Sequence, residues 1–262
     1  MDPQKLFDLD GKVAIVTGSS RGIGYESARA MACYGARVVI CGRKLESCVT
    51  AAERINAEAR AHGGEALPMQ VNIGRKEEVE RLVDETVGRW GKVDIVMANA
   101  AIHPWTGSVV DVPDETFSKF FQSNLQSSLW LAQLTLPGMA ERGYGRFIVV
   151  ASIVGILGDP VTGTYGLTKA ADMQLVRNIA MEFAGRGVCA NCIAPGTFKT
   201  EMARTFWDVP EMVEWNNQRN PSRRFGELHE IAGVALMLAS PAGGYINGQT
   251  LAVDGGHTIS YR

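Results

Sequence analysis

Val13-Ala14-Ile15-Val16-Thr17-Gly18-Ser19-Ser20-Arg21-Gly22-Ile23-Gly24 runs from an apolar, β-branched stretch into a turn with three glycines, and helical patterning follows to about Cys33. A short apolar run closed by such a turn and continued by a helix reads as a buried strand, a tight turn and a helix N-terminus. A helix N-terminus presents free N–H groups and the positive end of the helix dipole, a ready site for a pyrophosphate. Gly18 and Gly22 would permit the turn, and Gly24 would let the helix lie close on the sheet. The spacing T-G-x-x-x-G-x-G differs from the commoner G-x-G-x-x-G. The loop residues Ser20, Arg21 and Ile23 fall with the glycines at the expected dinucleotide site, and the bland alternative is a turn that is merely tight.

Outward from this unit the pattern repeats. Apolar runs at Arg37–Cys41, Glu65–Val71, Lys92–Asn99, Arg146–Ser152, Val188–Ala194 and Gln249–Val253 make seven strands with the first. Helical stretches are predicted over Lys44–His62, Lys76–Trp90, Asp114–Glu141 (Asp114 as N-cap) and Thr164–Gly185. Strand and helix alternate without a composition break, and the strands are continuously apolar. Both features predict a doubly wound α/β fold: a seven-stranded, mostly parallel sheet with helices on both faces, as one Rossmann-type domain over 1–262.

Composition excludes several classes. With 26 basic and 28 acidic residues and a net charge of −2, there is no basic surplus for nucleic acid or an anionic membrane. The five cysteines make no disulfide framework, and Cys189-Ala-Asn-Cys192 lies in a predicted buried strand, where residues three apart face opposite ways. Met1–Leu9 lacks the apolar segment of a secretion signal, and no apolar run approaches a bilayer span, so a cytoplasmic protein is expected. His62, His229 and His257 have no metal-ligand spacing with any Cys or acid, and no catalytic metal is expected.

In a dinucleotide site an acid at the end of the second strand would hold the adenosine ribose of NAD. That end reads Ile40-Cys41-Gly42-Arg43-Lys44. Arg43 and Lys44, with Arg21, would instead suit a 2′-phosphate, which predicts NADP(H); the alternative is that they are ordinary helix-start residues.

Tyr165-Gly-Leu-Thr-Lys169 sets a phenol and an ammonium four apart on one helical face, and Ser152 stands thirteen residues earlier at the end of the fifth strand. Reducing a ketone by hydride leaves an alkoxide that must take a proton as it forms. A phenol serves at neutral pH only if its phenolate is stabilised, which Lys169 and an oxidised nicotinamide would both do. Ser152 would hold the carbonyl oxygen.

Over about residues 9–256 the chain resembles the short-chain dehydrogenase/reductase family. The motifs are Thr17–Gly24, Asn99-Ala100-Ala101, Asn124, Ser152, Tyr165-x-x-x-Lys169, Pro195-Gly196-x-x-x-Thr200 and Val253-Asp254-Gly255-Gly256. The resemblance implies Tyr165 as acid/base, Ser152 as carbonyl positioner, Lys169 on the nicotinamide ribose, and Asn124 in a proton relay through water. It places Asn72 and Ile73 near adenine, and Pro195, Gly196, Thr197, Phe198 and Thr200 around the nicotinamide carboxamide and phosphates. Within the family it is similar to NADP-dependent carbonyl reductases of the member-4 type, with bacterial 3-oxoacyl carrier-protein reductases as second neighbours. Ala98 and Ala101 replace the outer residues of the usual Asn-Asn-Ala-Gly, Asn72 replaces an Asp, and the ending Ser260-Tyr261-Arg262 is no peroxisomal signal.

Trp105, Ile153, Val154, Leu157, Met202, Phe206 and Trp207 flank the expected chemistry and would line an apolar, roomy substrate pocket, unless Met202–Trp207 is a helix packing its own side. His103 reads as a surface-loop residue, the alternative being a polar group just behind the chemistry. Phe198–Asn220 is expected to be a lid, because Trp215–Arg219 interrupts its apolar pattern. Phe117, Phe120, Phe121, Leu125, Leu129 and Trp130 exceed what one sheet contact needs and argue for self-association; the resemblance implies a homotetramer. Three readings remain: a carbonyl reductase or alcohol dehydrogenase; an NAD(P)-dependent hydroxysteroid, polyol or 3-hydroxyacyl dehydrogenase; and a catalytically silent NADP-binding sensor.

Overall fold

A computed structural model describes residues 2–201 and 203–260. Seven strands form one sheet: β1 Val13–Thr17, β2 Arg37–Gly42, β3 Glu65–Gln70, β4 Ile95–Ala98, β5 Gly145–Val150, β6 Val188–Pro195 and β7 Thr250–Val253. Their order is β3-β2-β1-β4-β5-β6-β7, and every pairing is parallel. The order reverses between β1 and β4, which opens a crevice at their C-terminal ends.

Burial explains why these runs are strands. Every residue of β1, β4 and β5 is buried, because helices cover both faces of the sheet. Successive β1 residues feed opposite cores: Ile15 packs with Val79, Leu131 and Val176, and Val16 with Met31, Ile55 and Ile231. The first face therefore carries α3 (Lys76–Trp90), α5 (Ser127–Glu141) and α6 (Gly163–Phe183); the second carries α1 (Gly22–Cys33), α2 (Leu45–Ala59) and α9 (Leu228–Ala239).

Three elements depart from the sequence reading. The stretch predicted as one helix over 114–141 is α4 (Asp114–Phe121) and α5, joined by a π-helical turn at Gln122–Gln126. Its N-cap is Pro113, with Asp114 and Glu115 in the first turn, where the helix dipole favours carboxylates. Trp215–Arg219 does not break the pattern, for it lies in α8 (Pro210–Arg219), preceded by the short α7 (Arg204–Trp207). Finally, α9 was not predicted, although its signal is present: Glu227 and Glu230 form a reciprocal capping box ahead of an apolar run.

Candidate active site

The ends of β1 and β4 are tied by side chains at the reversal. Thr17 Oγ1 accepts from the backbone N–H groups of both Asn99 and Ala100, each at 3.0 Å. Asn99 Nδ2 donates back to Thr17 O at 2.8 Å and to Gly18 O at 3.3 Å. Gly18 and Gly22 take positive φ of 64° and 62°, which glycine tolerates without strain. Buried Ser19 fastens this loop to β2, its Oγ donating to Val16 O at 2.6 Å and accepting from Cys41 N at 3.0 Å. Thr200 faces Gly22 across the loop.

Beside the loop, Ser20, Arg21 and Gly22 line a cleft of about 580 Å³ with Glu46, Ser47 and Arg54 of α2. The exposed Arg21 thus lies in the cleft, and Arg43 and Lys44 are exposed at the end of β2, immediately before α2. The sequence reading missed two charges here. Arg54 shares a helical face with Ser47, and Glu46 puts a carboxylate in the first turn, just past the β2 end where an acid would hold a ribose. An unblocked helix N-terminus, a glycine turn and a cationic cleft fit the pyrophosphate and adenosine side of a dinucleotide.

Asn72 closes its own turn: its N–H donates to Glu78 Oε2 at 2.7 Å and its Oδ1 accepts from Gly74 N at 3.1 Å. Ile73 packs partly buried against the core. Pro195 ends β6, and Gly196 N donates to Val253 O at 2.9 Å, while Thr197 O accepts from Gly226 N at 3.0 Å. Phe198 is 4% exposed and its side chain belongs to the core. Ala101 is half-buried at the end of the β4 loop.

At the next strand end, Ser152 caps a 3₁₀ turn, Ile153–Gly155, its Oγ accepting from Val154 N at 3.4 Å. That turn packs on α6. The fit needs two glycines that the sequence reading passed over: a Cβ on Gly166 would stand 2.6 Å from Val154 O, and one on Gly155 2.8 Å from the Lys169 backbone. The contact sets Ser152 at the head of the helix that carries Tyr165 and Lys169.

Lys169 is buried and donates from Nζ to Val150 O at 2.9 Å and to Asp172 Oδ2 at 3.1 Å. The ammonium sits 5.6 Å from the centre of the Tyr165 ring. Burial pushes the Tyr165 phenol above its ordinary range, the Lys169 ammonium pulls it down, and the Asp172 carboxylate pushes it up again. The pull of Lys169 is in the expected direction, and burial together with Asp172 outweighs it. For Lys169 burial pulls the other way, but Asp172 and Tyr165 hold the ammonium charged.

Asn124 lies in the π-helical turn and is buried. Its Oδ1 accepts from Ile102 N at 2.8 Å, and its Nδ2 donates to Ile102 O at 3.0 Å and to Thr168 Oγ1 at 3.3 Å. The amide therefore binds the β4 loop to α6.

His103 is not a surface residue. Its ring lies 4.9 Å from that of Tyr165 and 6.1 Å from that of Phe120, and its Nε2 is buried without a hydrogen-bond partner. Burial pushes the imidazole below its ordinary range, against the pull of Asp159. Buried Trp105 Nε1, in the same loop, also lacks a partner. Of the expected pocket residues, Val154 and Trp105 are half-buried, and Leu157 is exposed. Ile153 is buried with the core, with 7% exposure. Phe206 packs against Trp215 of α8 at 6.2 Å, and Trp207 Nε1 donates to Thr200 O at 2.8 Å, so α7 does pack its own apolar side. Met202 lies outside the described residues.

Comparison with known proteins follows this geometry. A family model described as enoyl-(acyl carrier protein) reductase matches residues 18–258. The dehydrogenase/reductase SDR family member 4 of Bos taurus is 37% identical over 248 residues, 95% of this chain and 88% of that protein. The chain belongs to the short-chain dehydrogenase/reductase family. Its members are oxidoreductases that bind a nicotinamide cofactor and act on small molecules. Two solved short-chain dehydrogenase/reductases differ in the cofactor they hold. A gluconate 5-dehydrogenase from Burkholderia cenocepacia, in complex with NADP and tartrate, is 34% identical with a TM-score of 0.90, covering 98% of this chain and 99% of that one. A 7α-hydroxysteroid dehydrogenase complexed with NADH and 7-oxo glycochenodeoxycholic acid is 33% identical with a TM-score of 0.89, covering 98% of each chain. Among the described residues of this family member, no helix is long and apolar enough to cross a membrane, and no group of three His, Cys, Asp or Glu is placed to hold a metal.

Proposed function

We propose that the protein is an NADP(H)-dependent carbonyl reductase or alcohol dehydrogenase with Tyr165 as general acid/base. The observation that carries this is the cluster of Ser152, Tyr165 and Lys169 where the 3₁₀ turn meets α6. When bound, the nicotinamide supplies or accepts the hydride. Tyr165 gives its proton to the carbonyl oxygen in reduction and takes it from the alcohol in oxidation. Ser152 donates a hydrogen bond to that oxygen and fixes its position. Lys169 spends two of its three N–H groups on Val150 O and Asp172, which leaves one for the cofactor ribose. Arg21 and Arg43, with Lys44, supply the charge for a 2′-phosphate, while Glu46 opposes it.

The substrate site is more mixed than an apolar pocket. Val154, Leu157 and Trp105 give it apolar walls, but the unpaired Nε2 of His103 beside Tyr165 asks for a polar group. That observation favours, as a second reading, a hydroxylated or otherwise oxygen-rich substrate of the kind a polyol or hydroxyacyl dehydrogenase takes. A silent sensor would not need Tyr165, Lys169 and Ser152 together. Residues 198–220 would serve as the lid, and a homotetramer in the cytoplasm completes the reading.

The test is consumption of NADPH and of NADH against a panel of ketones, with Tyr165→Phe as control. Turnover that favours NADPH and is lost in the variant is expected. Unchanged activity in Tyr165→Phe overturns the acid/base assignment, and a higher catalytic efficiency with NADH overturns the cofactor preference.

A further inference from the structure

One charged group beside the proposed acid/base has no part in the chemistry set out above. Asp172 is 0% exposed, one helical turn beyond Lys169, and its Oδ2 lies 3.1 Å from Lys169 Nζ. Its Oδ1 makes no hydrogen bond. The neighbouring Ser128 hydroxyl of α5 lies 3.3 Å from Asn124 O and also acts on the Asp172 carboxylate as a hydrogen-bond donor that favours its charged form. A buried carboxylate is costly, and a buried ion pair often adds nothing to stability over apolar residues of the same size. The reason for this one is to be sought in its neighbours.

Those neighbours are few. On α6 they are Lys169 and Tyr165. From β6 comes Cys192, whose Sγ reaches Asp172 O at 3.7 Å; burial pushes its thiol up to about 12, so it is neutral. Arg177 acts on that thiol from farther along α6. From the loop after β4 comes His103, an imidazole that burial keeps neutral, with Asp159 acting on it. The charges that Tyr165 feels are therefore the ammonium of Lys169 and the carboxylate of Asp172. The first favours phenolate and the second cancels part of that field.

We propose that Asp172 is a positioning residue for Lys169: the buried carboxylate fixes the ammonium beside the Tyr165 ring and offsets part of the field that the ammonium exerts on the phenol. The pair fixes the ammonium between Val150 O and the carboxylate. This rests on the proposed role of Tyr165.

The test reads Tyr165 directly. Tyrosinate absorbance is titrated in the wild type and in Tyr165→Phe, and their difference isolates Tyr165; the same pair is then made with Asp172→Asn and with Asp172→Glu. Loss of the carboxylate is expected to move the transition to lower pH by about one unit or more, and Asp172→Glu to restore it in part. In pH–rate profiles, the alkaline limb of reduction and the acid limb of oxidation should move down together. A transition that stays in place, or a profile scaled without moving, overturns the proposal as a merely structural role. If Asp172→Asn fails to fold, Asp172→Leu removes the charge with a packed apolar side chain and carries the same expectation. Failure of the parent reading is separable: full activity in Tyr165→Phe overturns the acid/base role, whatever the titration shows.

Discussion

Asn124 grips Ile102 by both of its backbone polar atoms, accepting from the N–H at 2.8 Å and donating to the carbonyl at 3.0 Å. The contact joins the π-helical turn to the loop that carries His103 and Trp105. Replacing Asn124 by Ala leaves a buried N–H and C=O without partners, at a cost of about 1–3 kcal/mol. The expected outcome is a lowered melting temperature together with a fall in kcat larger than the change in cofactor KM. A variant with full kcat would show that the loop is held by other contacts.

Gly166→Ala reverses an ordinary rule. Inside a helix, alanine usually exceeds glycine by about 0.5–1 kcal/mol. Here the new methyl would meet Val154 O, a backbone atom, at 2.6 Å. The 3₁₀ turn must back away and take Ser152 with it. The variant should melt lower than the wild type and lose about tenfold or more in kcat. A more stable and fully active variant would refute the close packing.

Arg21→Ala and Arg43→Ala should each raise KM for NADPH by about tenfold or more, the worth of a charge-assisted hydrogen bond, and leave KM for NADH nearly unchanged. Glu46→Gln should act in the opposite sense, improving NADPH. Steady-state kinetics with both cofactors checks this; equal losses for NADPH and NADH would remove the 2′-phosphate role.

The cysteines should separate by burial. Cys41 and Cys192 are buried, and burial holds their thiols up to about 12. Both therefore carry negligible thiolate at mildly alkaline pH, whereas Cys33 and Cys189 are half exposed. Alkylation of the native protein followed by peptide mapping should label the latter two first. Early labelling of Cys192 would mean that α6 opens from β6.

Local patterns account for what the sequence made legible. Each parallel strand is a short apolar run with a fixed end; Gly18 and Gly22 stand out by their place after the first strand, whereas the Tyr165/Lys169 spacing gains its meaning from Ser152 and the glycine turn in the same chain. The π-helical turn escaped because its residues keep helical periodicity, and one extra residue per turn leaves no compositional mark. His103 was misplaced because what buries it is the ring of Tyr165, a neighbour far along the chain. Asp172 passed unnoticed because a charged residue on a helix looks the same in sequence whether it faces water or a buried lysine. Glu46 lies beyond the strand end where an acid would hold a ribose, but the helix turns its carboxylate back toward the same cleft. The polar run of α8 reads as an interruption because sequence does not show that an amide is buried: Asn216 and Asn220 are both buried, and Asn220 Nδ2 donates to Asp254 O at 2.9 Å.

Thr17 spends a single oxygen on two backbone N–H groups of the facing strand end. That oxygen works as a spacer: it fixes how far apart the tips of β1 and β4 stand, and so the width of the slot between them. The aperture is set before any ligand arrives, by an atom that need touch none, and valine at this position would keep the side chain's shape but lose the gauge.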